Sequence, residues 1–312
     1  MSTIGLQATQ SLAEAGRKVF VYHFNDFLKC EEGVLSGENT EDLHDMRVAT
    51  RRMRATLRIF QHGFKPNAVK FLKRGLKETI YVLGSVRDLD VFIENLVIYQ
   101  QEKHSDTPLE LMPLLDYCQI QRDRARTKML TYFDSESYKK FKSETARLLK
   151  KERQGKSLPI STKQRPIPYQ IRHVAPVLIY SHYDAIRAYE PFLNNADIEL
   201  LHQLRIAFKY FRYTLENLQE LLGNEGTIVI EEIKQIQTYL GNLNDTQFAS
   251  QFVEHFLKKE TTATVKKSIP IRHYLNDKMA ERDRFLVEFP NVWHQFNSTK
   301  LRHHLALAVA AL

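Results

Sequence analysis

The sequence predicts an all-α protein. Glycine and proline are scarce, at 11 and 10 of 312 residues, and hydrophobic residues make up 43% of the chain. Most long segments carry apolar residues at helical spacing rather than in the alternation of a β-strand. The chain is long enough to bury a substantial core, so we expect a helical protein that folds without disulfide or metal crosslinks.

The clearest interruption of the helical pattern lies near the middle of the chain. Gly155, Pro159, Pro166 and Pro168 stand there among serine, threonine and lysine, a composition typical of a linker. We therefore expect a first helical repeat over residues 1–155, a linker over residues 156–168 and a second repeat over residues 169–312.

The two halves repeat each other in sequence. The segment LHDMRVATRRMRATL, which begins at Leu43, aligns without a gap with LHQLRIAFKYFRYTL, which begins at Leu201. The segment LGSVRD at 83–88 is echoed by LGNLND at 240–245, and RDR at 122–124 recurs at 282–284. Three echoes in the same order predict a duplicated unit of about 150 residues with about four helices per half, hence two four-helix bundles related by a pseudo-twofold axis.

The first repeated segment predicts a helix with one basic face in each half. At about 100° per residue, its apolar side chains take one side of the helix and its basic side chains take the other. The basic positions are His44, Arg47, Arg51, Arg54 and Arg58 in the first half and His202, Arg205, Lys209 and Arg212 in the second. Ten residues of helix span about 15 Å, so each row suits an extended anion.

Charge is what the two rows share. Like charges one turn apart on a helix repel each other, and the basic face of neither row carries an interleaved acid. A single Arg-rich face would be explained by solvation, or by pairing with acids of other helices. The same offsets recur in the second half, however, with Lys209 in place of Arg51. We therefore expect the rows to bind a polyanion.

A second basic face is predicted on the helix that follows the first row, where Lys70, Lys73, Arg74 and Lys77 lie together. Of these, only Lys77 has a basic counterpart in the second half, namely Lys234. A ligand-binding face, with Lys73, Lys77 and Lys234 as members, and a merely solvated face both remain open.

The second echo contains one further candidate for the anion site, Arg87, although its counterpart in the second half is Asn244. The neighbouring Asp88 and its counterpart Asp245 are interpreted as structural. Either one would cap a helix or hold a basic side chain in place.

No metal site or cofactor is predicted. His44 and His202 stand at the ends of Arg rows, where a divalent cation would be repelled, so they are candidates for capping residues or for donors to a phosphate. The two cysteines, Cys30 and Cys118, lie outside any Cys-x-x-Cys or His-rich cluster. That pattern argues against structural zinc and suits a reducing compartment.

The overall charge favours an acidic partner. Lys and Arg number 45 against 37 Asp and Glu, which gives a formal net charge of +8 and a pI near 9.3. No segment approaches the roughly 20 apolar residues that span a bilayer. We expect a soluble, cytoplasmic protein without a membrane partner, in which the apolar tail from Leu305 to Leu312 forms the last turns of a packed helix.

These motifs resemble those of the CHAD family, the conserved histidine α-helical domain. The resemblance rests on L-H-x-x-R-x-A-x-R-R-x-R at 43–54, L-H-x-L-R-x-A-x-K-x-x-R-Y-T-L-E at 201–216 and the L-G-x-x-R-D segment, and it covers nearly the whole chain. It implies two four-helix bundles whose basic helices line a central groove or pore that binds inorganic polyphosphate. Members are often fused to a CYTH phosphohydrolase domain or found with polyphosphate granules, and this chain resembles the stand-alone form.

Two other functions remain open from the residues. A nucleic-acid binder would set aromatic rings among the basic residues, but Tyr213 beside the second row has Ala55 as its counterpart. A phosphoanhydride enzyme would need carboxylates that hold a metal ion, for which Asp88, Asp90 and Asp245 are the candidates. No Walker A loop, nucleophile elbow or H-E-x-x-H helix accompanies them. We therefore expect binding of polyphosphate without catalysis.

Overall fold

The computed structural model describes residues 3–103, 111–150, 168–259 and 269–312. Over these ranges the chain consists of α-helices joined by short turns and two 3₁₀ segments, which confirms the predicted all-α class. In chain order the helices are α1 (Leu12–Lys29), α2 (Glu31–Ser36), α3 (Thr40–Ile59), α4 (Pro66–Lys103), α5 (Met112–Asp134), α6 (Glu136–Lys150), α7 (Ile171–Arg187), α8 (Ile198–Lys259), α9 (Ile269–Phe296) and α10 (Thr299–Ala310). The 3₁₀ segments are Gln61–Gly63 and Glu190–Asn195. Helix α10 confirms the helix predicted for the apolar tail.

Helix α3 is the first of the two predicted basic helices. It begins after the N-cap Asn39, whose side-chain oxygen accepts a hydrogen bond of 3.0 Å from the Glu41 N–H. The acidic side chains in its first turn interact favourably with the helix dipole. The apolar positions predicted for this helix are all buried, namely Met46, Ala49, Met53, Thr56, Leu57 and Phe60. The basic face therefore lies on the side of α3 away from the core.

Helix α8 is broken at Gly223, where the φ angle is +62°. Glycine suits this left-handed conformation because a Cβ atom would be strained there. The break divides α8 into a first arm, residues 198–222, and a second arm, residues 224–259. Side chains of both arms line one cavity, so the chain folds back at the break.

The number of helices differs from the prediction. When the two arms of α8 are counted separately, the described ranges hold five helices of more than ten residues in each half. They are α1, α3, α4, α5 and α6 in the first half, and α7, the two arms, α9 and α10 in the second. The expected count of about four per half was therefore one too low, and the arrangement of two bundles related by a pseudo-twofold axis stays a prediction.

Within the described ranges the buried apolar residues form three clusters, and two of them join the halves. One cluster lies within the first half and is formed by residues of the helices from α1 to α6. A second is built mainly from α7 to α10 but includes Val19, Ile59 and Phe60 of the first half. The third joins the far ends of α4 and α5 to α9 and to the second arm of α8, where Phe92 packs against Tyr274. The two halves therefore share a hydrophobic interior.

The start of the chain is tied to the start of the second half. The Leu12 N–H donates to the carbonyl of Tyr169 at 2.7 Å, and the Ile171 N–H donates to the carbonyl of Gln10 at 3.0 Å. The predicted linker, residues 156–168, lies outside the described residues except for Pro168, so the domain boundaries stay a prediction. Within the described ranges, every helix is too short or too polar to cross a bilayer.

Candidate functional site

Basic residues of both repeats meet between α3 and the two arms of α8. A cavity of about 270 Å³ is lined by side chains from all three segments. Its lining residues are Arg51 of α3, Arg205, Lys209, Arg212 and Tyr213 of the first arm, and Lys234, Gln237 and Thr238 of the second arm. We call this feature the basic groove. The row from each repeat thus contributes to one site, and Lys234 of the second predicted face joins them.

Lys209 lies where the positive charges are most concentrated. Desolvation, together with the repulsion of neighbouring guanidinium groups, lowers the pKa of its ammonium group from 10.5 to about 7. Those groups belong, in order of their effect, to Arg205, Arg51, Arg47 and Arg212. Four arginines from two helices therefore act on one lysine, so the groove has a strongly positive potential that an anion would relieve.

Arg47 stands beside the groove and is held by the acid predicted to play a structural role. Its Nη2 atom donates to Asp88 of α4 at 2.9 Å. Burial lowers the pKa of Arg47, and Asp88 opposes that effect. In the second repeat, burial likewise lowers the pKa of Arg205, with Asp245 as the opposing charge. In each repeat, therefore, one aspartate interacts favourably with the first arginine of the basic row.

Several donors around the groove are buried and have no hydrogen-bond acceptor among the described residues. They are the Nε atoms of Arg47, Arg51 and Arg212 and the Nε2 atom of Gln237. Buried polar atoms are normally paired, so such a group calls for an explanation. A ligand that only accepts hydrogen bonds, such as a phosphate oxygen, would satisfy these N–H groups.

The histidines at equivalent positions of the two repeats have different surroundings. Partial burial and the guanidinium of Arg87 lower the pKa of His44, which places Arg87 close to the start of the first row. His202 instead lies with its Nδ1 atom 3.1 Å from Oδ1 of Asn244. It lines a separate cavity of about 410 Å³ rather than the basic groove. Because Asn244 occupies the position equivalent to Arg87, the second half lacks this cation beside its histidine.

Four other predicted residues lie outside the lining of the basic groove. Arg54, Lys73 and Lys77 are exposed, and Lys73 donates to the side chain of Gln61 at 3.0 Å. The guanidinium of Arg58 lies over the ring of Tyr210. The helical wheel placed these residues on basic faces correctly. It did not reveal which residues of each face would contact the other repeat.

Comparison with known proteins identifies the family. The family model of the CHAD domain matches residues 19–254. The chain belongs to the CHAD domain family. Its fold is similar to the crystal structure of the CHAD domain from the plant Ricinus communis, with a TM-score of 0.72 and 22% identity over 93% of each chain. It is also similar to PptA from Streptomyces chartreusis, with a TM-score of 0.70 and 16% identity over 91% of this chain and 100% of that chain. A comparison with curated proteins found no match.

Two of the three carboxylates considered as metal ligands in this CHAD domain are engaged by arginines. Asp90 accepts a hydrogen bond from Arg122 at 2.9 Å, as Asp88 does from Arg47. Desolvation raises the pKa of Asp245, and the nearby Asp88 contributes to that shift. The acids therefore serve as partners for basic side chains.

Sequence reasoning missed several residues that shape the groove of this CHAD domain. Gln237 and Thr238 line it alongside Lys234. They lie three and four residues after Lys234 and so share its helix face, which was the available signal. Glu216 approaches Arg212 at 3.5 Å and Arg52 at 3.8 Å. Its position between these two guanidinium groups depends on how the repeats pack, which no pattern within one helix reveals.

Proposed function

We propose that this CHAD domain binds inorganic polyphosphate in the basic groove and does not alter it chemically. Membership of the CHAD family supports the ligand class. The single observation that carries the proposal is the convergence of both basic rows on Lys209, whose pKa falls to about 7 among four arginines. An unbound protein gains nothing from concentrating like charges in this way, whereas a polyanion would stabilise them.

The chemistry of the lining matches a chain of phosphates. Arginine forks and lysine ammonium groups supply donors only, and a phosphate chain supplies acceptor oxygens only. The buried Nε atom of Arg51 has no hydrogen-bond acceptor in the described part of the chain, so it is available to a ligand oxygen. The Nε atom of Arg212 makes no hydrogen bond either, but it lies 3.5 Å from Oε1 of Glu216. Because polyphosphate carries charge at every unit, it would contact cations from both repeats at once.

Binding without catalysis is favoured by the state of the acids. A phosphoanhydride enzyme commonly uses carboxylates to hold a metal ion beside the phosphates. Here Asp88 pairs with Arg47 and Asp90 pairs with Arg122. Such pairs neutralise the carboxylates, and the surrounding positive charge would oppose a divalent cation.

Nucleic acid fits the groove less well than polyphosphate. Base stacking needs an accessible aromatic face. The one ring that lines the groove, in the part of the chain that the structure describes, belongs to Tyr213, which is only 7% exposed. The groove therefore favours a ligand made of phosphate alone. A cytoplasmic location, in association with polyphosphate granules, belongs to the same proposal.

The test is a titration with long-chain polyphosphate and with single-stranded and duplex DNA at about 0.15 M salt, where electrostatic binding is still measurable. A groove variant carries Arg51→Ala, Lys209→Ala and Arg212→Ala. Its charge-matched control carries Lys140→Ala, Arg147→Ala and Lys150→Ala, three exposed positions on α6. Circular dichroism verifies that both remain folded.

We expect polyphosphate to bind far more tightly than DNA, with an affinity that falls steeply as salt is added. The groove variant should lose this binding, and the α6 control should keep it apart from a small loss due to net charge. An equal loss of polyphosphate affinity in the two variants would mean that binding depends only on the overall charge of the protein. Equally tight binding of DNA would remove the case for a polyphosphate site.

A further inference from the structure

Another, larger cavity lies next to the basic groove. Asp88, the partner of Arg47, also lines this cavity, which measures about 600 Å³ and lies between α4, α5 and the second arm of α8. Sites for small molecules and cofactors commonly measure about 300 to 1,000 Å³. We call this cavity the aromatic cleft. Its lining differs from that of the basic groove in the number of aromatic rings, since four rings line the cleft and one lines the described part of the groove.

Three rings form an apolar wall in the aromatic cleft. The ring centroids of Tyr117 and Phe252 are 5.7 Å apart, and those of Phe248 and Phe252 are 5.9 Å apart. Phe92, which is 3% exposed, supports them with its centroid 4.9 Å from that of Phe252. A fourth ring, Tyr81, lines the cleft while 75% exposed. Rings held in this way provide a rigid surface on which a flat heterocycle can stack.

Cations stand beside these rings. Arg124 and Lys128 are one turn apart on α5, and His255 and Lys259 are one turn apart on the second arm of α8. Lys259 Nζ lies 3.5 Å from the hydroxyl oxygen of Tyr117 and 5.9 Å from its ring centroid. The four basic side chains are exposed and line the cleft from two helices. Phosphate groups would therefore be held close to the aromatic wall.

The positive charge of the cleft is not a by-product of the internal repeat. In the register of the RDR motif, Lys128 corresponds to Glu288 of the second half. In the register of the L-G motif, Lys259 corresponds to Glu102 of the first half. Two basic residues of the cleft thus correspond to acidic residues in the other repeat. The equivalent surface on the other side of the duplicated fold therefore lacks these two positive charges.

We propose that the aromatic cleft binds a mononucleotide with a di- or triphosphate group. The base stacks on the wall formed by Tyr117, Phe248 and Phe252 with Tyr81 at its edge, and the phosphates contact Arg124, Lys128 and Lys259. The rings offer nothing to inorganic polyphosphate, which has no flat apolar face. The size of the cavity matches one nucleotide rather than a strand. This inference does not depend on the function proposed for the basic groove.

Titration calorimetry of the full chain with ATP, at about 0.15 M salt and without a divalent cation, tests the inference. The cleft variant Lys128→Glu, Lys259→Glu introduces the acids found at the equivalent positions of the other half. Because both lysines are exposed, this variant should fold. A second variant, Tyr81→Ala, removes an exposed ring, and the groove variant defined above serves as the matched control.

We expect one ATP to bind per chain. The cleft variant should weaken binding by on the order of a hundredfold, since two charge-assisted contacts become repulsive. Tyr81→Ala should weaken it about tenfold through the loss of stacking. The groove variant should keep the wild-type affinity for ATP while losing that for polyphosphate, so the two proposals succeed or fail separately.

Several results would overturn the nucleotide site. One is the absence of ATP binding, and another is binding that the groove variant loses and the cleft variant keeps. In the background of the groove variant, inorganic tripolyphosphate that binds as tightly as ATP would show that the base is not recognised. A short oligodeoxyadenylate that binds far more tightly than ATP would assign the cleft to a nucleic-acid strand instead.

Discussion

The guanidinium carbon of Arg58 lies 3.7 Å from the centre of the Tyr210 ring. The two residues come from different repeats, since Arg58 belongs to α3 and Tyr210 to the first arm of α8. Tyr210 in turn stacks against His182 of α7, with the rings 23° from parallel. The residue at the end of the first basic row thus contacts an aromatic ring across the boundary between the halves.

Arg58→Ala should therefore lower the stability of the protein more than its affinity for polyphosphate. We expect the free energy of unfolding to fall by about 1 kcal/mol, the usual worth of a cation–π contact at a partly exposed site. Urea unfolding measures this loss, and Arg54→Ala, an exposed change one turn earlier, is the control. A large loss of polyphosphate affinity with unchanged stability would instead place Arg58 among the ligand contacts.

Polyphosphate affinity should decrease as the pH rises from 7 to 9. In the free protein the pKa of Lys209 is about 7, so over this range its ammonium group progressively loses its proton. A bound polyanion stabilises the charged form, and binding must then take up a proton. Titrations in matched buffers should show the decrease in the wild type and a flatter profile in Lys209→Met. An affinity that is equal at pH 7 and pH 9 would contradict this role for Lys209.

Lys209→Met should stabilise the unbound protein at pH 7. The pKa of Lys209 is about 7 in the folded protein and 10.5 in its ordinary state. Between these values the unfolded chain binds more protons than the folded one, so the charge of Lys209 opposes folding and this effect weakens as the pH rises. Urea unfolding at pH 7 and pH 9 should show a gain for the variant that is smaller at pH 9. A variant less stable than the wild type at both pH values would mean that Lys209 supports the fold.

Asp88→Asn should weaken the fold and strengthen anion binding. It leaves the partly buried guanidinium of Arg47 without its carboxylate partner at 2.9 Å, which we expect to cost about 1 kcal/mol because Asp88 is half exposed. It also adds one unit of positive charge beside the groove, so polyphosphate should bind more tightly. Thermal unfolding and titration measure the two effects, with Asp116→Asn at an exposed position of α5 as control. Weaker polyphosphate binding would show that Asp88 positions Arg47 for the ligand.

The sequence supported the fold class and the faces of individual helices. The arc that carries Met46, Met53 and Leu57 was predicted from periodicity and is buried, because helical spacing fixes which side chains share a face. The break at Gly223 was not predicted, since apolar residues continue at helical spacing on both sides of it. Its φ of +62° is a tertiary feature that lets the second arm fold back.

Contacts between the repeats were the part that the sequence did not reveal. Arg51 and Arg58 share one predicted face, yet Arg51 lines the groove and Arg58 lies over Tyr210. The difference depends on what the other repeat places opposite each turn of α3. The internal repeat predicted that the rows are related, whereas their convergence on Lys209 required the three-dimensional packing.

The most direct test of the central claim is amine labelling of the native protein at pH 7, followed residue by residue by mass spectrometry. We expect polyphosphate at about ten times its Kd to slow the labelling of Lys209 and Lys234 about tenfold. Lys140 and Lys150 on α6 should label at unchanged rates. Unchanged labelling of Lys209 and Lys234 under saturating polyphosphate would place the ligand elsewhere and contradict the assignment of the basic groove.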